Sequence, residues 1–134
     1  MKKPLHKHIL LRGTVKNPPM DAEITHNWLK HLVEKINMKI IRGPFVSYVE
    51  APGNRGTTAV VMIETSHIAF HVWDESDPAL LQFDLYTCSE LNVPTVLEEL
   101  EKFFKFENFE YLVFDREETF VAIDGSFMIN VPQQ

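Results

Sequence analysis

A chain of 134 residues in which 45% of side chains are hydrophobic and 24% charged can close a core unaided, which excludes fibrous and extensively disordered architectures. The net charge of −6, with no basic cluster beyond the amino terminus, excludes a broad nucleic-acid footprint and suits a small cationic ligand better than a phosphate backbone. A single cysteine, Cys88, excludes an intrachain disulfide framework and a multi-cysteine zinc site, and the expected compartment is the reducing cytoplasm.

In chain order, Met1-Lys2-Lys3 resembles the start of a signal peptide, but the apolar run Ile9-Leu10-Leu11 is too short and is broken by Arg12. No segment approaches the length of a membrane span, and no membrane association is expected. Lys7 to Gly13 reads as a first strand, closed by the turn Lys16-Asn17-Pro18-Pro19. A helix follows, with Asp21 as N-cap and Ile24, Trp28, Leu32, Val33 and Ile36 as its apolar stripe. Lys39 to Val49 is expected to be extended, and Ala51 to Gly56 is rich in turn formers.

Strands are predicted over Thr58 to Ile63 and His67 to Trp73, with a break at Thr65-Ser66. In the second, alternation places Ile68, Phe70 and Val72 on one face and His67, Ala69 and His71 on the other. Leu80 to Tyr86 forms another strand. The second helix begins near Val93 with Pro94 in its first turn, and Val96, Leu97, Leu100, Phe103 and Phe104 form its buried stripe. Strand character returns at Tyr111 to Phe114 and Thr119 to Ile123, while the tail after Asp124 carries no clear pattern. The order predicts one α+β domain over residues 1–134, with two main helices covering a mostly antiparallel sheet.

The residues able to do chemistry are concentrated between Thr58 and Cys88. Taken alone, Cys88 reads as a small apolar structural side chain and His71 as an ordinary strand residue. Neither His67 with His71 nor His6 with His8 has a carboxylate or cysteine at a recognisable ligand spacing, so no metal is expected. The aromatic residues Trp28, Phe103 and Phe104 read as core.

Together, Ser66-His67, His71, Trp73, Glu75 and Thr87-Cys88 resemble the motif of the small prokaryotic S-adenosylmethionine decarboxylases, and chain length and element order resemble that family too. The resemblance implies an α/β sandwich with helices outside and sheets facing inward, assembled as a homodimer. It also implies a self-cleaving proenzyme in which Ser66 attacks the carbonyl of Thr65 and becomes an amino-terminal pyruvoyl cofactor. By the same resemblance, His71 removes the serine α-proton, the Thr58 hydroxyl supports that step, Cys88 protonates the product and Glu75 holds the substrate's ribose hydroxyls. Imidazoles and thiols are side chains suited to moving protons near neutral pH. The implied substrate is S-adenosylmethionine, decarboxylated to the aminopropyl donor of polyamine synthesis.

Several positions depart from the family pattern. Thr65 stands in place of a usual glutamate, Ala59 and Ser89 in place of glycines, and Asp74 in place of proline. Glu50 occupies the position of an adenine-stacking aromatic ring, with Tyr48 the nearest aromatic. Two alternatives therefore stay open: a pyruvoyl decarboxylase of ornithine or arginine, and an unprocessed relative that binds or regulates an active enzyme. Glu75 also reads as part of a solvated acidic loop, Asp74-Glu75-Ser76-Asp77.

Overall fold

The computed structural model describes residues 5–126, so the Met1-Lys2-Lys3 segment and the last eight residues of the tail lie outside the described residues. Its elements run β1 (Lys7–Val15), α1 (Ala22–Lys35), β2 (Ile40–Val49), β3 (Gly56–Ile63), β4 (Ser66–Trp73), β5 (Ala79–Thr87), α2 (Val93–Phe104), β6 (Phe106–Asp115) and β7 (Val121–Gly125). All seven strands join one antiparallel sheet in the order β2-β3-β4-β5-β1-β6-β7, so β1 is inserted between β5 and β6.

Local chemistry explains both helix starts. The Asp21 carboxylate accepts the amides of Glu23 and Ile24 at 2.9 and 3.1 Å, satisfying two of the donors that a first helical turn leaves free. At α2 the Asn92 side chain accepts the Thr95 amide at 3.1 Å, and Pro94 occupies the first turn, where no amide hydrogen is needed.

The period-two alternation of β4 decides which face is buried. Ile68 and Phe70 are fully buried and Val72 nearly so, and both helices pack on their side of the sheet. Phe70 lies at the centre, with its ring centroid 6.1 Å from that of Trp28 in α1 and 5.2 Å from that of Phe104 in α2. Trp28 in turn stacks on Phe103 at 4.3 Å. A half-exposed imidazole, His31 of α1, bonds the buried Glu99 of α2 at 2.7 Å and ties the helices together.

Two expectations need correction. Ile24 is 58% exposed and does not belong to the α1 stripe, whose first turn instead buries Thr25, with Leu29 added one turn on. β6 begins at Phe106, five residues before its predicted start, because Phe106 to Glu110 pair with Val15 to Arg12. That half of the strand is largely exposed and lacks the alternation by which a strand is recognised. The α+β layering itself is as expected, with the chain contributing one helix layer and one sheet layer.

Opposite the helices the sheet is open. Register stacks its side chains in three rows across five strands: Thr58-His71-Gln82-Arg12-Glu110, then Val60-Ala69-Asp84-Leu10-Leu112, then Met62-His67-Tyr86-His8-Phe114. The first row is polar, the second mostly apolar, and the third aromatic and basic. Leu10, Val60 and Met62 are 39%, 39% and 48% exposed, so this face presents apolar side chains to its surroundings.

Candidate active site

Strands β3 and β4 are joined by a two-residue turn, Glu64-Thr65, with Ile63 paired to Ser66 at its base. Thr65 has φ of +59°, the left-handed region that a β-branched residue seldom enters. The end of β5 runs alongside and brings Cys88 to the turn. The Ser66 hydroxyl donates to Cys88 Sγ at 3.4 Å, the Cys88 amide donates to Ser66 Oγ at 3.0 Å, and the thiol donates to the Thr65 carbonyl at 3.1 Å. A nucleophile, the carbonyl preceding it and a weak acid therefore converge on one peptide bond.

His71 and Thr58 form a second group. They are directly paired across β3 and β4, with His71 Nδ1 lying 3.3 Å from the Thr58 hydroxyl. Five residues separate His71 from Ser66, which at strand rise is on the order of 16 Å. Ser66 also shares the parity of Ile68 and Phe70, whereas His71 belongs to the open face. A single chain therefore brings Ser66, Thr65 and Cys88 together, and separately His71 and Thr58, but does not join the two groups.

Glu75 lies beyond the end of β4, four positions after His71 and nine after Ser66. Its two carboxylate oxygens accept the amides of Arg55 and Gly53, each at 3.1 Å. These two bonds, Arg55 first, hold its carboxyl below the usual range. Beside it Asp74 receives Arg55 Nε at 2.7 Å and the Tyr48 hydroxyl at 2.8 Å, so the turn Ala51 to Gly56 is tied to the end of β4. Asp74 thus has a bonding role that a proline at its position would lack. Gly56 permits this close approach: a Cβ there would lie 1.9 Å from the carbonyl oxygen of Val72.

Sequence spacing did not reveal a third cluster, because its members come from three strands. His8 Nε2 and His67 Nε2 both bond Asp84 Oδ1, at 2.5 and 3.1 Å. The three donor atoms lie within 4.8 Å of one another, the proximity that a metal site requires. Arg116, however, donates to His8 Nδ1 at 2.9 Å, which leaves the neutral His8 proton on Nε2, directed at Asp84. The trio therefore reads as a hydrogen-bonded network. Burial raises the Asp84 carboxyl, but the hydrogen bond from His8, then that from His67, and the positive charge either imidazole carries when protonated outweigh it and the net shift is downward. Arg116 also lies 4.3 Å over the Tyr86 ring, whose hydroxyl meets His6 Nδ1 at 2.8 Å. The only signal in sequence was alternation within β5, which puts Asp84 and Tyr86 on one face; His8 and His67 join them through cross-strand register. A trough of about 680 Å³ lies on the same face, bordered by Leu10, Arg12, His71, Gln82, Asp84 and Glu110.

A family model described as S-adenosylmethionine decarboxylase matches residues 9–117, most of the chain. The chain belongs to that family. Among curated relatives, it is 24% identical over 113 residues to the S-adenosylmethionine decarboxylase proenzyme of Archaeoglobus fulgidus, covering 82% of this chain and 96% of that one. A shorter match, 42% identical over 50 residues, links it to the arginine decarboxylase proenzyme of Aeropyrum pernix, covering 37% of this chain and 36% of the relative. The crystal structure of the adenosylmethionine decarboxylase from Aquifex aeolicus superposes with a TM-score of 0.68 at 22% identity, over 92% of this chain and 98% of that one, which establishes a shared fold. Membership places this S-adenosylmethionine decarboxylase family chain among decarboxylase proenzymes, whose cofactor is a pyruvoyl group. Among the described residues no helix is long and apolar enough to cross a membrane.

Proposed function

We propose that this protein cleaves itself between Thr65 and Ser66, and that the resulting pyruvoyl enzyme decarboxylates S-adenosylmethionine to an aminopropyl donor. The observation that carries the reading is the convergence of Ser66 Oγ, the Thr65 carbonyl and Cys88 Sγ on one peptide bond. The Cys88 amide orients the serine oxygen, and its thiol polarises the carbonyl to be attacked. Ser66 Oγ bonds to the Thr65 carbonyl carbon, the C–N bond to Ser66 breaks, and the hydroxyl proton ends on the released nitrogen. Removal of the Ser66 α-proton by His71, aided by Thr58, expels the Thr65 carboxylate, and water then releases ammonia and leaves the ketone.

A pyruvoyl group formed from Ser66 would be held at the turn beside Cys88 and would supply an electron sink for decarboxylation of an α-amino acid substrate. Cys88, already at the turn, is placed to return a proton to the carbon that lost carbon dioxide. Glu75 has its carboxylate oriented by two backbone amides, and its outward lone pairs suit ribose hydroxyls.

The separation of His71 from Ser66 supports a homodimer in which a second copy of this chain supplies His71 and Thr58. The exposed apolar row on the open sheet face supports that surface as the contact, which would set two sheets inward and the helices outside.

A second reading, decarboxylation of arginine or ornithine, is favoured by the Aeropyrum pernix relative and by Glu50 at the adenine-stacking position. Intact mass under denaturing conditions, with a Ser66→Ala control, tests the processing. Two fragments meeting at Thr65/Ser66, the larger bearing the pyruvoyl mass and both absent from the control, are expected. A single full-length mass after prolonged incubation would refute it and favour an unprocessed binding or regulatory relative. Carbon dioxide release from each candidate substrate then decides between the first two readings.

A further inference from the structure

Among the described residues three non-glycine positions have positive φ: Asn37, Thr65 and Lys105. Lys105 caps α2 and Asn37 follows the cap of α1, where a left-handed residue is an ordinary way to end a helix. Thr65 is different. It is β-branched, it sits in a hairpin turn, and it carries the carbonyl that Ser66 would attack.

Contacts on every side hold it there. Ile63 pairs with Ser66 below the turn, and the Glu64 amide donates to the Lys39 carbonyl at 2.9 Å. The Thr65 hydroxyl donates to the Glu64 carbonyl at 2.8 Å, and Cys88 engages both the Thr65 carbonyl and Ser66 Oγ. An unfavourable backbone persists only where its surroundings over-determine it, and such residues gather at functional sites.

We propose that Thr65 is a spring for self-cleavage: its left-handed backbone raises the energy of the intact amide and is released as the acyl group moves to oxygen. This inference rests on the proenzyme reading above. The N-to-O shift makes an Oγ–C bond and breaks a C–N bond, exchanging a resonance-stabilised amide for an ester, and is uphill by itself. The ester adds rotatable bonds between Thr65 and the β4 backbone, so Thr65 can leave the left-handed region only after the shift. Its side chain acts through conformation and takes no part in the chemistry, so Thr65 is a positioning residue.

The test compares Thr65→Gly and Thr65→Asn, which tolerate this region, with Thr65→Val, which keeps the branch and loses the hydroxyl. Cleavage of freshly synthesised full-length chain is followed by intact mass, and thermal stability is measured for each substitution combined with Ser66→Ala. Glycine and asparagine are expected to raise the melting temperature of the uncleavable chain while slowing cleavage about fivefold to tenfold. Valine should cleave within about twofold of the parent. Unchanged cleavage in the glycine and asparagine variants, or unchanged stability, overturns the spring. Slow cleavage in the valine variant assigns the effect to the hydroxyl and overturns it too. If the parent chain never cleaves, the proenzyme reading itself falls, an outcome recognisable from the parent alone.

Discussion

Mixing two inactive variants should restore cleavage. Ser66→Ala removes the nucleophile and His71→Ala removes the imidazole, and each alone is expected to give only full-length mass. If one chain cannot place its own His71 near its own Ser66, across on the order of 16 Å of strand, a complete site needs Ser66 from one copy and His71 from the other. In a mixed dimer the His71→Ala chain supplies Ser66 and its Ser66→Ala partner supplies His71, so one of the two sites is complete. Random pairing of equal amounts makes about half the dimers mixed, and therefore cleaves about a quarter of all chains. The variants are unfolded together in urea, refolded, and read by denaturing mass spectrometry, with separately refolded samples as controls. Cleavage of the His71→Ala chain by itself at the parent rate would refute the division of the site. So would a co-refolded mixture that forms mixed dimers and yields no fragments.

Other expectations follow from packing and charge. Phe70→Ala, which empties the contact among Trp28, Phe104 and the sheet, should cost about 3–5 kcal/mol in urea unfolding of the Ser66→Ala chain. A loss below about 1 kcal/mol would contradict its central place. Under the proposed mechanism Cys88→Ala should slow cleavage and decarboxylation alike, since the thiol bonds the Thr65 carbonyl and is assigned the proton returned to the product. Normal cleavage would remove Cys88 from maturation. The Asp84 carboxyl is shifted down on folding, so its stabilisation is present above the unfolded value and lost as pH falls through the folded one. Urea midpoints measured from pH 5 downward should therefore fall less steeply for Asp84→Asn than for the parent, by a margin reduced because the carboxylate is partly exposed. Parallel slopes would show that His8 and His67 do not favour its charged form.

Much of the fold could be read from short-range pattern. Asp21 and Pro94 announce the helices because capping is a property of a few adjacent residues, and strict alternation from His67 to Trp73 assigns β4 to its faces. Phe106 to Glu110 gave no such signal, since the strand there is largely exposed and its pairing with β1 depends on residues about ninety positions away. The candidate residues could be named through the family resemblance, but the separation of Ser66, Thr65 and Cys88 from His71 and Thr58 could not. A spacing of five along a strand places two side chains on opposite faces and far apart, which motif spacing alone does not convey. Likewise, the meeting of His8, His67 and Asp84 depends on register across β1, β5 and β4, and the left-handed Thr65 depends on contacts from Cys88 and the strand ladder.

The insertion of β1 between β5 and β6 would give the proposed self-cleavage a particular physical result. A cut after Thr65 leaves β1, β2, β3 and α1 in one polypeptide and the remaining elements in the other. The two pieces are interleaved, meeting along three ladders, β3–β4, β1–β5 and β1–β6. They can part only by dismantling the sheet, so the nicked molecule holds together without a covalent link. Refolding, by contrast, changes order: after the cut two separate chains must find each other, and recovery from denaturant would depend on protein concentration at the level of one protomer. If the chain is processed as proposed, the intact precursor would be the form best suited to folding, and the nicked form the one that could not readily be rebuilt.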